Sequence, residues 1–441
     1  MISNREALAT TPARETALAC LEAGIESAHP QTVVHEKIEL VGDSLRIADR
    51  EYDLSEFDEI LVLGGGKASA QVAVALESLL GERIDRGAVV TNDPEETDRV
   101  EVLPGDHPVP SREGVESTKK VLELADSADE NTLVLAAITG GASALLPAPA
   151  GDIPLAEMQT ATRTLLDLGA TIDEINAVRK HCSALKGGQF AGTASPATIV
   201  GLLFSDVVGD DPSIIGSGPT APDGTTFSDA LAVLDQYGVD SEADDVSRIR
   251  THFERGDAGD LPETPTATDS VFERVTNHVL ADNFTALDAA RETAEERGYD
   301  AMILSSRVRG EARESATTHV AIAEEVLATG NPISPPAVLL SGGETTVSVH
   351  GDGDGGPNLE FALGALLELD SEITVASVDT DGKDGSTNAA GALVDEKTST
   401  ADGRKALHSN DSYPFLDSVG ALVKTGATGT NVNDLRVLIV E

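Results

Sequence analysis

Residues 60–80 read ILVLGGGKASAQVAVALESLL, and the order of residue types in this stretch decides the fold. Ile60, Leu61, Val62 and Leu63 form a short, wholly apolar run, as expected of a strand buried on both faces of its sheet. Gly64-Gly65-Gly66-Lys67 then turns the chain, and from Ser69 to Leu80 apolar residues recur at helical spacing. Strand, glycine turn and helix together make the opening step of a parallel α/β sheet. The pattern repeats outward, with apolar runs at 88–90, 100–103, 133–138 and 198–204 alternating with helical stretches such as 114–125. This alternation predicts a doubly wound, mostly parallel sheet.

Upstream, residues 13–27 read as an amphipathic helix, and 33–41 with 44–47 as a hairpin turned at Gly42-Asp43. Downstream, 235–269 is polar, acidic and Pro-bearing, the composition of a connecting excursion. Beyond it a second α/β pattern follows: strands at 275–280, 301–305 and 338–340, the last with a hairpin through Val349, helices at 283–297, 310–329 and 359–369, and a strand at 373–378. A chain of 441 residues suits two such domains. The expected division is a doubly wound domain over 1–240, an acidic helical excursion or linker over 241–270, and a second, smaller α/β domain over 271–441.

Charge narrows the function. There are 76 Asp and Glu against 31 Lys and Arg, for a net charge of −45, and nucleic acid would be repelled at long range. Acid spread over nearly every surface stretch is the surface expected of a halophile's protein, where molar salt screens repulsion over about 3 Å. Two cysteines give neither a disulfide framework nor a zinc site, and no apolar run is long enough to span a membrane. With no basic-then-apolar leader, a cytoplasmic protein is expected.

Four glycine-rich turns follow strands: Gly64 to Lys67, Thr139-Gly140-Gly141-Ala142-Ser143, Ser341-Gly342-Gly343-Glu344 and Asp381-Gly382-Lys383-Asp384-Gly385. The carboxyl edge of an open α/β sheet is where ligands bind, and backbone amides there suit phosphate oxygens. The first turn is no Walker A loop, because Leu61 replaces the leading glycine and Ala68 intervenes before Ser69. It is also a defective dinucleotide fingerprint, with Ser69 in the third glycine position, although Asp93 could imitate the ribose acid. Carboxylates near such edges, in SDVVGDD from Ser205 and DTDGKDG from Asp379, suit a hydrated Mg²⁺; Lys383 and the glycine spacing rule out an EF-hand. The most basic stretch, Arg179-Lys180-His181 with Lys186-Gly187-Gly188, suits a carboxylate or phosphate.

Taken together, LGGGKASAQVA, GDHPVP, TGGASALL, INAVRKHCSALKGG, SDVVGDDPSIIGSGPT, SGGETTVSV, DTDGKDGSTNAAGA and TGATGTNVNDL resemble the class II glycerate kinases, the family with a C-terminal MOFRL domain. The resemblance implies D-glycerate and ATP as substrates, Mg²⁺, a site in an interdomain cleft, Lys67 as catalytic lysine and, from its archaeal members, 2-phosphoglycerate as product. A homodimer is the expected assembly. The expected site comprises Lys67, Arg179, Lys180 and Asp206 for catalysis. Gly64, Gly65, Gly66, Ser69, Gly140, Gly141, Ser143, Gly342, Gly343, Glu344, Asn358 and Glu360 are expected to hold the nucleotide, and Asp206, Asp381 and Asp384 the metal. Where the family carries an arginine in GGRNQE, this chain has Pro357, so either another residue replaces that cation, Arg179 and Lys180 being the candidates, or the phosphate is oriented differently. The competing activity is NAD(P)H-dependent reduction of hydroxypyruvate, a label some family members carry.

Overall fold

A computed structural model describes residues 1–239 and 245–441. The chain forms two compact units, one of residues 33–280 and one of residues 1–32 with 281–441.

In the 33–280 unit, a six-stranded sheet runs in the spatial order Val100–Pro104, Arg86–Thr91, Glu59–Gly65, Thr132–Ile138, Thr198–Phe204, Val275–Ala281. The first five strands pair in parallel, with Gly65 opposite Val90 on one side and Ile138 on the other. From Glu59–Gly65 the chain winds outward one way through two strands. It then returns to place Thr132–Ile138 on the other flank of the same strand. The carboxyl ends of Glu59–Gly65 and Thr132–Ile138 therefore frame the point where strand order reverses, the crevice position of open α/β sheets. Every residue of Thr132–Ile138 is buried, as its unbroken apolar run requires. Leu61, Leu63, Val90, Val134, Ala136 and Ile138 form part of the core on one face. Helix Arg112–Asp126 starts where Ser111 accepts from the Gly114 amide, and helix Ile172–His181 where Thr171 and Glu174 close a capping box.

The other unit holds a mixed six-stranded sheet in the order Asp300–Val308, Ala337–Gly343, Asp434–Val440, Ile373–Asp379, Gly391–Asp395, Leu422–Val423. Asp434–Val440 runs antiparallel to both neighbours, so Gly343 and Asp379 each lie opposite Asp434 at one edge. Arg436, fully buried in this strand, donates to Thr345 Oγ1 at 2.8 Å and to Asp434, and stacks 4.9 Å from the Phe361 ring centroid.

The expected boundaries are corrected. Residues 1–32 join the later part of the chain because helix Pro12–Ser27 packs on helix Asn283–Glu296 and strand Asp434–Val440. Residues 245–280 belong to the earlier unit, where helix Ser247–Asp257 packs on Phe227–Gln236 and Val275–Ala281 edges the sheet. The expected linker therefore does not separate domains in its described part, and its start at 241–244 lies outside the described residues. Residues 33–37 belong to helix Pro30–Lys37, leaving the first hairpin as Ile38–Val41 with Ser44–Ile47. The expected hairpin after Ala337–Gly343 does not form; that strand lies between Asp300–Val308 and Asp434–Val440.

Candidate active site

Glycines 64–66 are where they are because two strands and a turn approach closely. A Cβ on Gly64, whose φ is +148°, would lie 2.0 Å from the Ala137 carbonyl oxygen, and one on Gly66 2.1 Å from Thr139 Oγ1. The amides here are also spent inside the protein. Gly66 N–H donates to Val90 O at 3.0 Å, Lys67 N–H to Gly140 O at 2.8 Å, Ala68 N–H to Thr139 Oγ1 at 3.1 Å and Ser69 N–H to Gly66 O at 3.2 Å. The Ser69 hydroxyl is buried, 2.9 Å from the Gly66 carbonyl and 3.2 Å from that of Val90, which share its one proton. The turn is thus a brace that fixes Lys67, correcting the expectation that Gly66 and Ser69 hand donors to phosphate. Gly64→Ala should destabilise the protein by about 3 kcal/mol or more in urea denaturation, since the clash is with backbone at a left-handed φ. A loss below about 1 kcal/mol would contradict this packing.

The neighbouring turn is tied to the same brace. Gly141, at φ +79°, donates its N–H to Asp206 Oδ2 at 3.2 Å, and a Cβ on Gly141 would lie 3.2 Å from Lys67 Cγ and 3.0 Å from His107 Cδ2. Lys67, Gly141, His107 and Asp206, three of them expected site residues, thus come together at the reversal point of the sheet.

Beside them opens a cavity of about 340 Å³, whose lining includes His107, Gly141, Ser143, Arg179 and Lys186. Among the described residues the Arg179 guanidinium has no carboxylate or other hydrogen-bond partner, and the Lys186 ammonium donates only to the Leu146 carbonyl, at 3.0 Å. Burial first, and Arg179 second, push the Lys186 ammonium down to about 7. Burial also lowers Arg179. Two cations are held together without an anion in a chain of 76 acidic residues, an arrangement that suits an anionic ligand. Lys180, also expected at the site, is not part of this cavity's lining: its Nζ meets Asp223 Oδ1 at 3.1 Å in a buried pair. Lys186, not among the expected site residues, takes the place beside Arg179. Its signal was in the sequence, as one of only ten lysines and part of the basic stretch.

In the other unit, most expected contacts prove to be internal. A Cβ on Gly342 would lie 1.8 Å from Asn283 Oδ1, and one on Gly343 2.3 Å from the Val308 carbonyl oxygen, so both glycines serve packing. Asp384 caps helix Pro357–Glu368, accepting from Asn358 N at 3.0 Å and Leu359 N at 2.8 Å. Pro357 is the first residue of that helix, where a missing N–H costs nothing. Asn358 is buried, donating to Asp384 and Asp434 and accepting from Ser377, while Glu360 is buried and accepts from Asn410 at 2.6 Å. Asn358 and Glu360, expected at the nucleotide, and Asp384, expected at the metal, thus meet protein groups here. Glu344 is exposed next to this edge, and Asp381 accepts from Lys383 N at 2.8 Å. Among the described residues no group of three or more His, Cys, Asp or Glu is arranged to hold a metal.

Burial, then Asp434, push Asp384 up to about 7, while its hydrogen bonds to Leu359 and Asn358 pull the other way. Between about pH 4 and about pH 7 the folded chain therefore keeps a proton that the unfolded chain has lost, and stability falls as pH rises through that window. Asp384→Asn should flatten part of this fall in urea titrations. An unaltered slope would contradict the shift.

Fold and cavity together define a two-domain α/β protein with a cation-lined cavity at the reversal point of its parallel sheet. Residues 16–254 match a family described as a domain of unknown function, DUF4147, and residues 337–434 match the MOFRL family. The D-glycerate 2-kinase of Thermotoga maritima is 37% identical over 428 residues, 93% of this chain and 99% of that protein. A crystal structure of glycerate kinase from Thermotoga maritima superposes with a TM-score of 0.83 at 36% identity, covering 97% of this chain and 99% of that one. A protein of Agrobacterium vitis named as a hydroxypyruvate reductase is 39% identical over 86% of this chain and 87% of its own length. The chain belongs to the MOFRL-containing glycerate kinase family. Among the described residues no helix is long and apolar enough to cross a membrane.

Proposed function

We propose that this chain phosphorylates D-glycerate at the expense of ATP with Mg²⁺, giving 2-phosphoglycerate, and that glycerate's carboxylate sits between Arg179 and Lys186. The observation that carries the reading is that pair of cations, facing one cavity and lacking a carboxylate partner. A bidentate guanidinium with an adjacent ammonium suits a planar carboxylate. Lys67, on its braced turn, neutralises charge on the phosphoryl group in flight, since phosphoryl transfer calls for positioning and electrostatic help rather than covalent chemistry. Mg²⁺ takes few protein ligands when phosphates supply the rest. Asp206, at the end of strand Thr198–Phe204, is the carboxylate proposed to reach it, directly or through water, while Asp381 and Glu344 are given no ligand. The bound nucleotide and ion would supply the phosphoryl group and its charge screening.

The reductase reading is weaker because a dinucleotide fold offers its first glycine turn to a pyrophosphate. Here the amides of Gly66 to Ser69 are already bonded within the protein. ADP release in high salt, measured with and without D-glycerate, tests the proposal. Release should depend on D-glycerate and on Mg²⁺, and NADH absorbance should not fall on adding hydroxypyruvate. Release independent of glycerate would refute it. Carbon NMR of the product identifies the phosphorylated hydroxyl. A cytoplasmic location, a halophilic source and a homodimer belong to the same proposal, and sedimentation of the purified protein tests the last.

A further inference from the structure

Ser143 lines the cavity with Arg179 and Lys186, and its hydroxyl is joined to a buried pair of polar side chains. Ser217 Oγ donates to Asn176 Oδ1 at 3.0 Å, which commits its only proton. With Asn176 Oδ1 assigned as the atom facing Ser217, Ser143 is the donor in the 2.8 Å contact between the two serine hydroxyls. With its own proton directed at Ser217, Ser143 Oγ turns only lone pairs toward the cavity. Both supporting residues are buried, Ser217 to 1% and Asn176 to 4% exposure, so the order of donors is shielded from water. Ser217 is held by its N–H to Ile214 O at 2.8 Å and by Gly187 N–H to its own carbonyl at 3.0 Å. Asn176 sits on helix Ile172–His181, three residues before Arg179 and therefore on the same side.

We propose that Ser143 accepts a hydrogen bond from the glycerate hydroxyl that is not phosphorylated, and that the Ser143–Ser217–Asn176 relay makes the enzyme select a dihydroxy acid over a monohydroxy one. This rests on glycerate occupying the cavity. The relay ends on an amide oxygen, which takes up no proton near neutral pH, so it orients a hydroxyl and cannot deprotonate one. That suits the spectator hydroxyl. Ser143 is the group touching substrate, whereas Ser217 and Asn176 are positioning residues. Carboxylate and spectator hydroxyl, held at two points by residues braced on one helix, leave the reacting hydroxyl with one placement. An acid lacking the spectator hydroxyl leaves Ser143 facing no donor, the situation in which polar sites discriminate most strongly.

The test compares kcat/KM for D-glycerate with that for D-lactate, which keeps the carboxylate and 2-hydroxyl but lacks the 3-hydroxyl. The intact enzyme should favour D-glycerate by about 10²-fold or more, and Ser143→Ala should reduce that ratio by about tenfold or more. Ser217→Gly, tolerated because Ser217 has a φ of +64°, should also reduce the ratio although Ser217 is not in the cavity lining. An unchanged ratio in Ser143→Ala overturns the proposal, and a ratio altered in Ser143→Ala alone overturns the relay. An Arg179→Ala enzyme with an unaltered KM for D-glycerate would instead remove glycerate from this cavity, so the two failures are told apart.

Discussion

Lys67→Ala should lower kcat for D-glycerate phosphorylation by about 10³-fold, with the protein still folded and KM for glycerate changed only a few-fold. The size follows from removing the cation that meets developing charge on the transferring phosphoryl group. Folding should survive because the turn is held by backbone. Lys67 N–H bonds to Gly140 O at 2.8 Å, the Thr91 hydroxyl donates to the Lys67 carbonyl at 3.0 Å, and neither needs the side chain. Circular dichroism and urea denaturation provide the control. Turnover within a few-fold of the unaltered enzyme would take Lys67 out of the chemistry.

Arg179→Ala is expected to lower kcat/KM for D-glycerate by about 10²–10³-fold, mostly through KM, because it removes the charged partner of a desolvated carboxylate. The same variant carries a second signature. Lys186 titrates at about 7, partly because Arg179 is near, and only its protonated form attracts the carboxylate. In the intact enzyme kcat/KM should therefore fall as pH rises above about 7. Removing Arg179 removes a repelling charge, raises the Lys186 value and moves that alkaline fall to higher pH. A fall that stayed in place would mean that the two cations are not coupled, and an unchanged KM would mean that they do not bind substrate.

Much of this architecture was legible along the chain, for local reasons. Apolar runs ending in glycine turns gave the parallel sheet, and its strand order set Lys67 and Gly141 beside one another. What stayed hidden was long-range. The run LRVLIV at 435–440 carries a buried-strand signal, yet nothing local says that it inserts antiparallel between Ala337–Gly343 and Ile373–Asp379. Nor does helix Pro12–Ser27 announce that it packs on a helix about 270 residues later and a strand about 420 residues later. The glycines were ambiguous for a chemical reason: the same missing Cβ admits a phosphate or a neighbouring strand, and at Gly64 and Gly342 the neighbour proves to be protein. Arg179 and Lys180 were indistinguishable as letters. On a helix, however, successive side chains diverge by about 100°, so both cannot face one cavity. Arg179 does so, Lys180 turns to Asp223, and Lys186 returns after the helix ends.

A crystal structure of the protein with D-glycerate tests the central claim most directly. The account predicts glycerate's carboxylate oxygens about 3 Å from the Arg179 guanidinium and Lys186 Nζ. Glycerate bound elsewhere, with those two cations still facing an anion-free cavity, would contradict it.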